Sequence, residues 1–161
     1  MSKMLKAVLL ALMLGLTGVS AMAYDLDPQV EYTDAIQKGD MKMINKYYNK
    51  LYPVNQLFFG WTGLQIAANK GPMSSVKFFV ENGADVNYKH PISKMTALHM
   101  AAFQNRKDVV SYLVEHGADV NAKLRANVSI IRALNDEGLT EMAAQLEAAG
   151  AKDDGCQDKC F

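Results

Sequence analysis

Two blocks of this 161-residue chain recur at one fixed interval. Val80-Glu81-Asn82-Gly83-Ala84-Asp85-Val86-Asn87 returns 34 positions later as Val114-Glu115-His116-Gly117-Ala118-Asp119-Val120-Asn121, and the same offset lays Thr62-Gly63-Leu64-Gln65-Ile66-Ala67-Ala68 on Thr96-Ala97-Leu98-His99-Met100-Ala101-Ala102. Two blocks matched at one offset are hard to obtain by chance. A period of this length marks stacked supersecondary units, each of which buries its apolar face only against a neighbour.

Each unit reads as helix-turn-helix. Thr62 and Thr96 are good N-caps, and Thr62 with Gln65 three residues on has the capping-box spacing that satisfies two orphan backbone donors. Leu64, Ala67 and Ala68 stand at i, i+3 and i+4, a single stripe whose small alanines let another helix approach closely. A turn at Gly71 or Asn105, residues that accept left-handed backbone angles, leads to a second amphipathic run over Val76 to Val80 or Val109 to Val114. Gly83 and Gly117 close that helix in the C′ role.

The pattern resembles the ankyrin repeat, whose signature runs Thr-Pro-Leu-His-x-Ala-Ala, then Gly-His, two apolar pairs and Gly-Ala-Asp-Val-Asn. Thr96 to Ala102 and Gly117 to Asn121 carry it best. The signature proline is Gly63 in one copy and Ala97 in the other, which forgoes some pre-organisation at N1, and the signature histidine is Gln65 or His99. The resemblance implies an all-α ankyrin-repeat solenoid. Register extends it backward through Gly39-Asp40-Met41 to Asn55, and forward through Ser129, Gly138 and Gly150-Ala151, giving about four repeats at 30–55, 56–87, 88–121 and 122–152. The last has Leu134 and Asn135 at the alanine pair, with Gln145 and Glu147 on its second helix, as suits a terminal unit with one wet face.

Residues 1–23 read as an address and not as structure. Lys3 and Lys6 precede an apolar run from Ala7 to Val19, and Ala21-Met22-Ala23 supplies the small residues of a secretory cleavage site, leaving Tyr24 first. The run is shorter than the roughly 20 residues of a permanent bilayer span. The reading is an exported bacterial ankyrin-repeat protein: signal peptide 1–23, repeat domain 24–152, polar tail 153–161, located in the periplasm or secreted and not membrane-bound after cleavage. The chain carries 17 basic and 17 acidic residues, a balance that offers no electrostatic footprint for nucleic acid. A domain of this length buries enough surface to fold without crosslinks. The only cysteines, Cys156 and Cys160, lie in the tail; a small-ring disulfide, a redox-active dithiol and metal capture are the readings they leave open, with the disulfide favoured by an oxidising compartment.

Catalytic arrangements are missing from the sequence: it has no Gly-rich phosphate loop, zinc helix, nucleophile elbow or haem-attachment motif, so no enzyme activity, cofactor or metal is expected. His99 belongs to the repeat signature and is assigned hydrogen bonding between turns. His116 sits at a helix C-terminus, where positive charge suits the dipole. Met41, Met43, Met73, Met95, Met100 and Met142 are read as apolar gap-fillers.

Binding through the fingers between repeats and the exposed side of the first helices is what the resemblance implies, with a protein partner of unknown identity and a monomeric chain. The first finger, Gln56 to Trp61, is unusually apolar, so Phe58, Phe59 and Trp61 either bind a partner or fold back onto the first repeat. The second offers Tyr88, Lys89, His90, Lys94 and Met95. Asn69, Lys70, Phe103 and Gln104 occupy the variable ends of the first helices, and Arg125 the last finger. Aromatic and arginine anchors dominate interface energies, which favours Trp61, Tyr88, Phe103 and Arg125. Two other roles stay open: an accessory factor for a periplasmic redox or haem enzyme in oxidative-stress defence, suggested by the tail cysteines and the methionines, and a secreted effector that binds host proteins.

Overall fold

The structure is a computed structural model that describes residues 27–153 apart from position 49; residues 1–23, read as a signal peptide, and the Cys156/Cys160 pair lie outside the described residues. Among the described residues eight α-helices follow one another in four pairs: α1 (Pro28–Lys38) with α2 (Met41–Tyr47), α3 (Gly63–Lys70) with α4 (Met73–Glu81), α5 (Ala97–Phe103) with α6 (Lys107–Glu115), and α7 (Ile130–Asp136) with α8 (Thr140–Ala148). A two-residue hairpin, β1 (Leu57–Phe58) and β2 (Trp61–Thr62), pairs Leu57 with Thr62 and Phe58 with Trp61 ahead of α3.

Local chemistry sets the start of each first helix. Asp27 accepts from the Gln29 N–H with Pro28 at N1, and Ser129 accepts from the Arg132 N–H. Between them Thr62 and Gln65 form a full capping box, and Thr96 and His99 form the same box with an imidazole in place of the amide. The second helices of the last three pairs end alike: Gly83, Gly117 and Gly150 take φ of 82°, 86° and 95°. The N–H of the following alanine then reaches back five residues, from Ala84 to Phe79, Ala118 to Leu113 and Ala151 to Leu146, each at 2.9 Å. These are Schellman closures, which tie down carbonyls that would otherwise be orphaned.

One sequence expectation needs correction. The turns within pairs use left-handed Gly39, Asn105 and Gly138, but Gly71 is extended at φ −75°. Gly71 is small for a different reason: a Cβ there would stand 2.8 Å from the Ile36 carbonyl oxygen and 2.9 Å from Ala67 Cα.

Stacking forms one continuous core. Leu64, Ala67 and Ala68 on α3 and Leu98, Ala101 and Ala102 on α5 are buried, together with Val76 and Phe79 on α4, Val109 and Leu113 on α6, and Met142 and Leu146 on α8. Of the methionines read as gap-fillers, Met142 is fully buried, whereas Met41, Met43, Met73 and Met100 pack on the edge of the core. In the first pair aromatic rings take over: Tyr32, Tyr52 and Phe58 meet with centroids 5.1 to 5.4 Å apart. Such contacts add about 0.5–1.5 kcal/mol each beyond their buried area.

Between pairs, asparagine side chains carry a polar ladder. Asn55, Asn87 and Asn121 accept through Oδ1 from the backbone N–H of Asp85, Asp119 and Lys152, at 2.9, 2.8 and 2.9 Å. Asn87 and Asn121 also donate to the carbonyls of Gly117 and Gly150. Every rung joins a unit to its immediate successor.

Candidate functional site

The C-terminal ends of α1, α3 and α5 lie side by side, and two connected recesses run across them. The first, about 270 Å³, is lined by Trp61, Ile66 and Met100 with Gln37, Gln65, Asn69 and Lys70. The second, about 620 Å³, shares Gln37, Asn69 and Lys70 and continues past Lys38 and Gln104 to Arg106. Together they make a trough, aromatic at one end and cationic at the other.

Its walls are held firmly. Trp61 is half-buried and stacked on His90, with centroids 3.9 Å apart and planes 17° from parallel; His90 Nδ1 in turn meets the Ser93 hydroxyl at 3.1 Å. Gly60 sits so close to that ring that a Cβ would stand 3.0 Å from Nε2 of His90. Gln65 is spent on structure: its Nε2 donates to the carbonyls of Met95 at 2.8 Å and Tyr88 at 3.3 Å, anchoring the second finger. Arg106 reaches across to the end of α3, donating to the carbonyls of Ala67 at 2.7 Å and Ala68 at 2.8 Å and to that of Gly71. Those bonds satisfy helix-terminal carbonyls, and among the described residues the guanidinium makes no ion pair. Burial lowers its pKa, and Asp108 pulls in the opposite direction.

His99 does the work of Gln65 one repeat later. It is fully buried, and its Nδ1 accepts from the Thr96 N–H at 3.1 Å and lies 2.8 Å from the Thr96 hydroxyl. Its Nε2 is buried without a hydrogen bond among the described residues, although the Ala122 backbone, 34 residues on from Tyr88, acts on the ring. Burial pushes its pKa down to about 4, with the Ala122 backbone acting the other way. A neutral histidine confined to a cap is a structural part and not an acid-base group.

A third recess, of about 390 Å³, lies farther along and is mostly apolar, formed by Ile92, Met95, Phe103, Leu124 and Val128 with Ser93 and Arg125. The sequence-derived candidates thus fall into groups. Trp61, Asn69, Lys70 and Gln104 meet in the trough, and Met95, Phe103 and Arg125 meet in the third recess. Tyr88, Lys89 and Lys94 line neither; His90 backs Trp61. Phe58 is a correction: it is 2% exposed, its ring packed on Tyr32 and Tyr52, so it is core and not a contact residue. Phe59 is its opposite, 78% exposed at the hairpin tip with φ +53°. The apolar finger therefore divides, one ring folded back and the other in solvent.

Sequence reasoning missed Gln37, Lys38, Ile66, Met100 and Arg106. The repeat register contained the signal for four of them: Ile66 and Met100 occupy the variable position of the signature, and Gln37-Lys38 precede Gly39 as Asn69-Lys70 precede Gly71. Arg106 is placed only by its bonds to a neighbouring unit, which spacing does not encode.

In comparison with known proteins, the family model described as ankyrin repeats (3 copies) matches residues 33–123. No curated protein matches the chain. That match spans the two capping boxes, the finger hairpin and the Asn55 and Asn87 rungs, and with it the chain belongs to the ankyrin-repeat family.

Proposed function

We propose that this chain is a non-catalytic protein-binding module that acts as a monomer in the periplasm or after secretion, capturing its partner along the trough from Trp61 to Arg106 and the neighbouring recess at Phe103. Ankyrin repeats generally mediate protein binding. The observation that carries the reading is the trough itself, where a half-exposed tryptophan and three cations sit together with Gln37, Asn69 and Gln104, three amides not spent on structure, across successive repeats. A fixed aromatic anchor beside adaptable polar groups is the composition of an interface hot spot. Export rests on the pattern of residues 1–23, and the balanced charge argues against nucleic acid.

The test is capture from a periplasmic or secreted extract with Trp61→Ala and Phe103→Ala variants. Both are expected to weaken capture at least about tenfold, the loss of one anchor, while circular dichroism stays unchanged. Undiminished capture by both variants refutes the surface. In the same cells the secreted form is expected to begin at Tyr24.

A further inference from the structure

We infer that the trough takes an extended acidic segment of the partner, with one apolar side chain seated beside Trp61 and carboxylates lying along Lys70, Lys38 and Arg106. The inference rests on the protein-binding reading above and names the chemistry of its partner.

Charge comes first. No acidic side chain lines either part of the trough, whereas Lys38, Lys70 and Arg106 all do. Lys70 makes no ion pair among the described residues, and the Lys38 pair with Asp34, 2.7 Å long, is exposed on both sides and exchangeable. Arg106 is held in place by neutral carbonyls and makes no ion pair among the described residues, so its charge is fixed in position and only partly offset by Asp108. Past the third pair the sign reverses. Asp136, Glu137 and Glu141 occupy the corresponding turn of the last unit, with Glu141 drawing Lys107 to 2.6 Å. An acidic ligand is therefore attracted over the first three pairs and repelled by the fourth.

The amides supply the second argument. Gln37, Asn69 and Gln104 stand at the ends of α1, α3 and α5, one per pair, and their side chains make no hydrogen bond among the described residues. Each offers a donor and an acceptor, which is what the backbone of an extended peptide requires. Packed helices are spaced about 8–10 Å apart, and an extended chain advances about 3.3 Å per residue, so each amide serves roughly every third residue of such a segment. At the far end Trp61, Ile66 and Met100 form the apolar seat. A phosphate backbone would use the cations but leave that seat and the amide row idle.

Trp61 is the only tryptophan, so the fluorescence of the intact protein reports directly on the seat. The probes are a synthetic peptide of about nine residues with a central leucine flanked by glutamates, its glutamine and lysine counterparts, and a single-stranded DNA oligonucleotide. The glutamate peptide is expected to give a saturable signal change at least about tenfold tighter than its glutamine counterpart, the margin of one charge-assisted contact. Raising salt from about 50 mM to about 500 mM should weaken it progressively. Lys70→Glu, a surface change outside the core, is expected to abolish that preference at unchanged helical content. Equal response to the glutamine or lysine peptide, tighter binding of the oligonucleotide, or no response to any probe overturns the inference. If the peptides fail while Trp61→Ala still abolishes capture from extract, the acidic chemistry falls and the binding surface stands; if Trp61→Ala leaves capture unchanged, the surface falls with it.

Discussion

His99 makes folding sensitive to pH in a way that one substitution should erase. Its imidazole is fully buried, and Nδ1 accepts from the Thr96 backbone, so the neutral ring carries its proton on the other nitrogen. Protonation would charge a group with no access to water and turn the acceptor of the capping box into a second donor. The pKa therefore drops from 6.5 to about 4, mainly through burial. Above pH 6.5 the ring is neutral both folded and unfolded, and it costs nothing. Below that value the unfolded chain binds a proton that the folded chain refuses, so stability falls as pH falls, until both forms are protonated below about pH 4. A shift of this size amounts to about 2 kcal/mol lost by pH 5 and about 3 kcal/mol by pH 4, at about 1.4 kcal/mol per unit. Against a total stability of about 5–15 kcal/mol that is a large share. The protein carries its own control: Gln65 fills the equivalent place, accepting from Thr62 N–H at 3.0 Å and donating to Met95 O at 2.8 Å. His99→Gln should fold and lose this component of the pH dependence. Urea midpoints of both proteins, followed from pH 7.5 down to about 4.5, should diverge progressively as pH falls through the range set by the histidine. Parallel profiles would refute the assignment of that slope to His99.

Two further perturbations follow from packing and backbone geometry. A Cβ on Gly63 would overlap the Phe79 ring, whereas the next unit carries the buried pair Ala97 and Leu113 at these positions. Gly63→Ala is thus expected to cost about 1–3 kcal/mol and Phe79→Leu to recover much of that in the double variant; additive losses in a denaturation cycle would contradict the complementary-size argument. Phe59 holds φ +53° beside Gly60 at +88° in a tight hairpin where asparagine is the favoured residue. Since the ring is exposed, Phe59→Asn should stabilise the fold by about 1 kcal/mol, seen as a thermal midpoint a few degrees higher, and a lower midpoint would show that the ring packs usefully.

The parts of this fold legible in the sequence are those specified within a few residues. Thr62 and Thr96 mark helix starts because a cap is made by residues three apart, and Gly83 and Gly117 mark ends because the left-handed angle is local. Legibility fails where a residue's role is decided by another unit. Gly71 reads as a left-handed turn yet is small because the Ile36 carbonyl lies against it. Phe58 and Phe59 are indistinguishable by type, and only the hairpin separates them: Phe58 lies in β1 with its ring against the core, whereas Phe59 begins the left-handed turn and stands in solvent. The trough was half visible for the same reason: Trp61, Asn69 and Lys70 follow from register, but Arg106 becomes part of it through bonds to carbonyls 35 to 39 residues away.

The asparagine ladder bears on how such a chain changes its length. Because Asn87 grips Asp119 and Asn121 grips Lys152 through the same Oδ1 acceptor, the two interfaces present interchangeable sockets. Removing the 34 residues 88–121 would bring Asn87 to the backbone that Asn121 now holds, and duplicating them would add a rung without leaving an end unmatched. Recombination at these joints alters the reach of the binding trough while the asparagine rungs keep their fit, so this part of the array is a vocabulary of one word whose sentence length is free to drift.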